Sequence, residues 1–263
     1  MLFQERVIGI INDYISNRTL PHTLMLEGDY GCGKRTLSQY IAQKLNSELV
    51  DITDNISLQT LEEIELCVTP KVYYINSENI SVKEQNAILK FLEEPLRSAY
   101  IVLSTVNKNL LLNTVVNRCV HISFDKYTAE QLKVFIEGEN SCIALQYAQT
   151  PGQVKEFVNH NIADMESFAK KILTQVSVAN YSNILKIPNN INFTKEQNNL
   201  FDFDVFKFIL INVANTLYKD KIISYKLFDI VNEFNKECNI PRINKQYLFE
   251  NFIIRLKQGT ETL

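Results

Sequence analysis

The sequence has no C-x-x-C pair, no apolar run long enough to cross a bilayer, no internal repeat and no low-complexity tract. Each absence removes a class of protein. The cysteines Cys32, Cys67, Cys119, Cys142 and Cys238 are scattered, so neither a zinc site nor a disulfide framework is expected, and a reducing, cytoplasmic setting is the default. The histidines His22, His121 and His160 are equally dispersed, and lone histidines are more often structural than catalytic or metal-binding. A membrane partner is not expected, because a spanning helix needs about 20 consecutive apolar residues. The opening M-L-F-Q-E-R-V-I-G-I-I-N is interrupted by charge and lacks the layout of a secretory signal. There is no basic excess either. The net charge is −3, which gives no whole-surface attraction to phosphates and argues against a self-sufficient nucleic-acid binder.

Glycine is scarce, and its placement is therefore informative. Of seven glycines, Gly28, Gly31 and Gly33 fall inside the single stretch G-D-Y-G-C-G-K-R-T. The preceding H-T-L-M-L-E reads as a buried strand. The following R-T-L-S-Q-Y-I-A-Q-K-L carries Leu37, Ile41 and Leu45 at helical spacing. Strand, glycine loop and helix in that order form the context of a phosphate-binding loop. The 263 residues suffice for two or three modules. An apolar content of 46% against 22% charged marks the chain as globular rather than disordered.

Downstream, strands and helices alternate. E-L-V-D-I-T and K-V-Y-Y-I-N read as strands, with a helix between them over S-L-Q-T-L-E-E-I-E-L-C-V capped by Ser57. The helix S-V-K-E-Q-N-A-I-L-K-F-L-E-E stops at Pro95. A-Y-I-V-L-S-T is another buried strand. A short helical piece around Leu110 to Asn117 leads to the strand V-H-I-S-F. This alternation predicts an α/β fold with a parallel sheet covered on both faces. After Phe124 the pattern turns helical, with a break at Thr150 to Gly152. The segment Y-S-N-I-L-K-I-P-N-N-I-N-F reads as a polar linker, and the chain from about Lys195 to Lys257 is helical again. Its Phe and Tyr residues recur at spacings of three and four, which suits the core of a helix bundle.

In a working phosphate-binding loop, backbone amides and a helix N-terminus cradle the phosphates. The lysine reaches the terminal phosphates and the next Ser or Thr holds magnesium. Gly28-x-x-x-x-Gly33-Lys34 is intact here, but Arg35 takes the hydroxyl position. Thr36 comes one residue late, and one step along a helix rotates a side chain by about 100°. The loop is then either a vestigial site, with residual ATP or ADP binding to its amides left open, or only a tight strand-to-helix turn. The strand K-V-Y-Y-I-N ends in Asn76 and Ser77, where hydrolysing enzymes of this class place an acid that positions magnesium. Glu78 lies one residue further on, which by strand alternation turns it to the opposite face. No metal site and no resident cofactor are expected. Glu93 and Glu94 diverge by about 100° on a helix and read as solvated helix-end residues. Cys119 reads as a small buried hydrophobe.

Three stretches carry a resemblance. They are Asn86-Ala87-Ile88-Leu89-Lys90-Phe91-Leu92-Glu93-Glu94-Pro95, the strand ending at Thr105, and Leu111-Leu112-Asn113-Thr114-Val115-Val116-Asn117-Arg118-Cys119. With the entry strand L-P-H-T-L-M-L-E-G, they are similar in order and spacing to the clamp-loader branch of the AAA+ ATPases. Within that branch they look most like delta-prime-type subunits of bacterial DNA polymerase III. The likeness runs from about Leu20 to Phe124. Beyond that it is one of helical layout, apart from N-K-Q-Y-L-F-E-N-F-I-I-R-L, which looks like the family's terminal helix.

The resemblance implies an AAA+ α/β domain over residues 1–125, a small helical lid over 126–180 and a C-terminal all-α collar over 181–263. It implies that Thr105 stands at the sensor-1 position and that Arg118 serves as an arginine finger to a neighbouring subunit. It also implies partners: motor subunits of gamma/tau type and a delta-type subunit in a hetero-oligomeric ring, with the sliding clamp and primer-template DNA reached through the complex. The departures are Asn117 in place of the family's serine, no zinc module after the loop helix, and Gln153 near the position of a sensor-2 arginine. Together they imply a subunit without catalysis of its own. Three readings remain open. Arg118 could be an ordinary surface or strand-capping residue, the chain could be an active ATPase using Thr36 and Glu78 out of register, or it could be a scaffold of another AAA+ assembly.

Overall fold

The computed structural model describes residues 3–54, 56, 60, 62, 64, 69–93, 99–136, 145–176, 178–193, 201–238, 240 and 243–261. It falls into two compact units. One comprises Met1–Val134 with Gln149–Gln153, and the other comprises Phe135–Ala148 with Val154–Leu263.

The first unit is built on five parallel strands: β1 (Thr23–Glu27), β2 (Glu48–Asp51), β3 (Lys71–Asn76), β4 (Ala99–Thr105) and β5 (Val120–Ser123). They lie in the order β2-β3-β4-β1-β5. Strand alternation divides the apolar residues between two faces. Met25, Tyr73, Ile75, Ile101 and Leu103 pack on one side with Ile88, Phe91 and Leu92 of helix α3 (Val82–Glu93). Leu24, Leu26, Val72, Tyr74 and Val102 pack on the other. There they meet Val7 and Ile11 of helix α1 (Glu5–Ser16) and Leu37 and Ile41 of helix α2 (Lys34–Lys44). A sheet buried on both faces needs parallel strands with near-continuous apolar runs, which is the composition of β1, β3 and β4. Helix α3 opens with a capping box: the Ser81 amide donates to Glu84 Oε2 at 2.6 Å, and the Glu84 amide donates to Ser81 Oγ at 3.3 Å. Helix α4 (Asn113–Val116) joins β4 to β5, and helix α5 (Ala129–Lys133) follows.

The expected helix after β2 falls largely outside the described residues, as do Ser57 and Pro95. Thr60, Glu62 and Ile64 are helical.

In the second unit, helices α7 (Ile162–Gln175), α9 (Phe203–Lys219), α10 (Tyr225–Glu237) and α11 (Lys245–Glu261) bury an aromatic core. Phe234 stacks on Phe252 with centroids 4.2 Å apart, and Phe203 meets Phe249 edge-on. Such pairs contribute about 0.5–1.5 kcal/mol each beyond their burial. The aromatic periodicity thus marks core, as the sequence suggests. The expected break at Thr150 to Gly152 is present: residues 148–150 are not helical, and helix α6 (Pro151–Val158) starts directly after them. Thr150 Oγ1 accepts from the Gln153 amide at 3.3 Å, and proline sits at the first helical position.

The expected linker is also ordered. Tyr181–Ile184 forms helix α8, Ile187–Asn190 forms a 3-10 turn, and strand β6 (Ile191–Asn192) pairs in parallel with β7 (Phe201–Asp202). Ile184, Pro188 and Ile191 are buried. These apolar anchors have neither helical nor strand period, so a periodicity search passes over them.

Candidate functional site

The loop between β1 and α2 sits at the carboxyl ends of the parallel strands, where open α/β sheets place their ligands. Its backbone bends through Gly31 (φ 77°) and Gly33 (φ 106°), a conformation in which a side chain is strained. Gly33 is the N-cap of α2. The Gly28 amide donates to the Thr105 carbonyl at 3.0 Å, tying the start of the loop to the end of β4.

Lys34 is buried. Its Nζ donates to the carbonyls of Gly28 (2.5 Å) and Asp29 (3.2 Å) and lies 3.9 Å from Glu78 Oε1. Arg35, in the hydroxyl position, is held outward by Asp51 at 2.9 Å and stands over the Tyr74 ring at 5.8 Å. The Tyr74 hydroxyl shares a 2.7 Å hydrogen bond with Ser104 Oγ. Burial raises the pKa of the Tyr74 hydroxyl, partly opposed by that bond.

These residues line a cleft of about 500 Å³. Its charged members are Lys34 and Arg35 against Asp51, Asp54 and Glu78, a balance of two cations to three carboxylates. A polyphosphate would enter a cleft already negative by one charge.

The presence of Glu78 there corrects the strand-alternation argument. Strand β3 ends at Asn76, and Ser77–Asn79 form a 3-10 turn. The period of two stops with the strand, and the turn brings Glu78 back toward Lys34. The Asn76 side chain accepts from the Glu78 amide at 3.3 Å, so it caps this turn. Thr36 also lines the cleft, although its place on α2 predicts that it turns away.

Thr105, the sensor-1-like residue, is fully buried. Its Oγ1 donates to the Asn107 carbonyl at 3.0 Å and accepts from the Asn107 amide at 3.2 Å. The residue of β4 that lines the cleft is Ser104. Gln153 is likewise absorbed locally, its Oε1 accepting from the Gln149 amide at 2.8 Å.

Arg118 lies apart from the cleft-lining residues. Its carbonyl accepts from Thr23 Oγ1 at 2.6 Å, which fixes the backbone to the start of β1. Its Nη1 donates to the Thr114 carbonyl at 2.7 Å, and its Nη2 pairs with Glu93 Oε1 at 2.6 Å. Glu93 is therefore an ion-pair partner rather than a merely solvated residue. Its signal in the sequence was weak, since 25 residues separate the two. Burial pushes the Cys119 thiol up to about 12, in keeping with a packing role.

One contact had no local signature. The Gly152 amide donates to the Gly31 carbonyl at 3.0 Å, and Thr150 Oγ1 donates to the Tyr30 carbonyl at 2.7 Å. A Cβ on Gly152 would lie 2.5 Å from Gly31 Cα. The loop is thus clamped from outside by the start of α6.

The loop backbone and the α2 N-terminus have a shape that receives a phosphate. A guanidinium replaces the hydroxyl, a neutral Asn76 ends β3, and no group of three or more His, Cys, Asp or Glu that could hold a metal ion occurs among the described residues.

A family model described as DNA polymerase III, delta subunit, matches residues 55–128. Among curated proteins, the chain is 24% identical over 168 residues to DNA polymerase III subunit gamma of Buchnera aphidicola subsp. Schizaphis graminum, covering 51% of this chain and 46% of that protein. It is 22% identical over 163 residues to DNA polymerase III subunit tau of Bacillus subtilis, covering 49% of this chain and 29% of that protein. The chain spans less than half the length of these relatives. Among solved structures it is similar to a DNA polymerase III gamma subunit-related protein from Thermotoga maritima, with a TM-score of 0.53, 14% identity, and coverage of 95% of this chain and 99% of that one. It is also similar to the RuvB Holliday junction branch migration motor of Thermotoga maritima, with a TM-score of 0.50, 18% identity, and coverage of 82% and 76%. The fold these structures share with the chain is α/β, with a five-stranded parallel sheet and helices. What the sequence matches share is a likeness to subunits of DNA polymerase III.

Proposed function

We propose that the protein is a delta-prime-like subunit of a DNA polymerase III clamp loader, helping to place the sliding clamp on primed DNA. In this reading it hydrolyses no ATP itself and presents Arg118 to a neighbouring ATPase. The observation that carries the reading is Arg35. A guanidinium anchored to Asp51 at 2.9 Å stands where magnesium would need a hydroxyl. The loop keeps its shape, but the means of holding the metal is gone.

An arginine finger needs no nucleotide in its own subunit. Across an interface it neutralises charge that develops on a neighbour's γ-phosphate, an effect of about 10³- to 10⁵-fold. In the proposed assembly residues 1–125 form the AAA+ domain, 126–180 the lid and 181–263 a collar that joins a ring with gamma/tau-type and delta-type subunits. The clamp and primer-template DNA are reached through that ring, in the cytoplasm.

The test is a reconstituted loader carrying Arg118→Ala. ATP hydrolysis by the neighbouring subunit should fall at least tenfold. An unchanged rate contradicts the trans role.

A second reading has one specific observation in its favour. Glu78 and Thr36 both line the cleft, with Glu78 3.9 Å from Lys34 Nζ. An active ATPase using them out of register would show turnover by the isolated chain.

A further inference from the structure

The guanidinium of Arg118 is held at two points by two different parts of the first unit. Nη1 donates to the Thr114 carbonyl on α4, and Nη2 pairs with Glu93 Oε1 at the last residue of α3. Two anchors on separate nitrogens fix the plane of a guanidinium, whereas one would leave it free to rotate. The backbone beneath is equally constrained, with the Arg118 amide donating to the Val115 carbonyl at 3.1 Å and its carbonyl held by Thr23. Arg118 nevertheless keeps about a third of its side-chain surface exposed (34%), so it can meet a second molecule without breaking out of a core.

We propose that Glu93 is a positioning residue for Arg118: its carboxylate oxygen holds the guanidinium in the orientation in which it meets an anionic phosphate group on an adjacent subunit. This rests on the trans role of Arg118 proposed above.

The physical argument is one of entropy and geometry. A free arginine side chain samples many rotamers, and each must be given up when it docks. A guanidinium fixed beforehand loses little on docking and arrives with its donors aimed. The five N–H groups of arginine form a rigid fork; the hydrogen bond to Thr114 uses one on Nη1 and the ion pair with Glu93 lies at Nη2, so others remain for a partner. Glu93 is half-exposed (48%), and such pairs are weak enough to remain exchangeable in a high-dielectric setting. A carboxylate there orients the arginine without trapping it. The role is carried by a negative charge at a fixed place, so a neutral residue of the same shape should serve poorly.

The experiment measures steady-state ATP hydrolysis by the loader reconstituted with wild type, Glu93→Ala, Glu93→Gln, Arg118→Ala and the double variant Glu93→Ala/Arg118→Ala. Thermal melts of each subunit report folding. The expected result is that Glu93→Ala lowers kcat on the order of tenfold, as for a small misplacement of a reacting group. KM for ATP should not change, because the nucleotide belongs to the neighbour. Glu93→Gln, which keeps the shape and removes the charge, should fall nearly as far. In the Arg118→Ala background, Glu93→Ala should cost nothing further, the signature of two residues acting as one. If Arg118→Ala is slow while Glu93→Ala runs at the wild-type rate or faster, the positioning role is overturned and the arginine role survives. An additional loss from Glu93→Ala on top of Arg118→Ala overturns it as well. A wild-type rate for Arg118→Ala removes the arginine role itself, and the positioning role with it.

Discussion

At position 35 a guanidinium stands where a phosphate-binding loop carries a hydroxyl. A serine or threonine there would offer an oxygen to a cation. A guanidinium offers only donors, and it is already engaged by Asp51. The residue type at position 35 is legible in the sequence, but the place of Glu78 is not. Strand alternation holds only as far as Asn76, and the 3-10 turn Ser77–Asn79 resets the phase. Cys119 supplies a residue-scale test. Burial pushes its thiol up to about 12, so above the ordinary thiol range the unfolded chain releases a proton that the folded chain keeps. The sign follows from linkage. The folded state binds more protons between the two pKa values, so the stabilisation is complete below the unfolded value, near 9, and is lost as pH rises through that window. Wild type should therefore lose more stability between pH 8 and pH 10 than Cys119→Ala, read from urea midpoints. An equal loss in both would contradict it.

At the scale of elements, β1, β3 and β4 were readable because each carries its apolar residues without interruption, and α2 and α3 because their apolar positions recur at helical spacing. Segments held by single anchors were not readable, as Ile184, Pro188 and Ile191 show. The clamp between the loop and α6 was also hidden, since nothing in Thr150-Pro151-Gly152 says that its partner is Gly31. That clamp gives the glycines a structural use that survives without phosphate binding. Gly152→Ala would press a methyl to 2.5 Å from Gly31 Cα, and backbone cannot yield as a side-chain tip does. The expected cost is about 1–3 kcal/mol, seen as a lower melting temperature. Gly9 lies inside α1, where an added Cβ meets nothing within 4 Å. Gly9→Ala should instead stabilise by about 0.4–1 kcal/mol, through helix propensity and a less flexible unfolded chain. If both variants melt like wild type, the close approach of Gly152 to Gly31 is not a constraint.

At the scale of the whole molecule, the charge of the chain and the charge of its cleft have the same sign. The overall charge of −3 is matched locally by a cleft in which carboxylates outnumber cations. Both oppose the approach of a polyphosphate without a metal to neutralise it. In the proposed function the working cation is Arg118, carried on a backbone fixed between α4 and β1. The departures at Arg35, Asn76 and Gln153 on which the proposed loss of hydrolysis rests are legible in the sequence. The holding of Arg118 by Glu93 depends on how α3 and α4 meet, which no local pattern encodes.

The most direct test of this account is steady-state ATP turnover by the purified chain alone, with saturating ATP and magnesium. The account predicts a rate indistinguishable from buffer. Magnesium-dependent turnover that Lys34→Ala abolishes would contradict it.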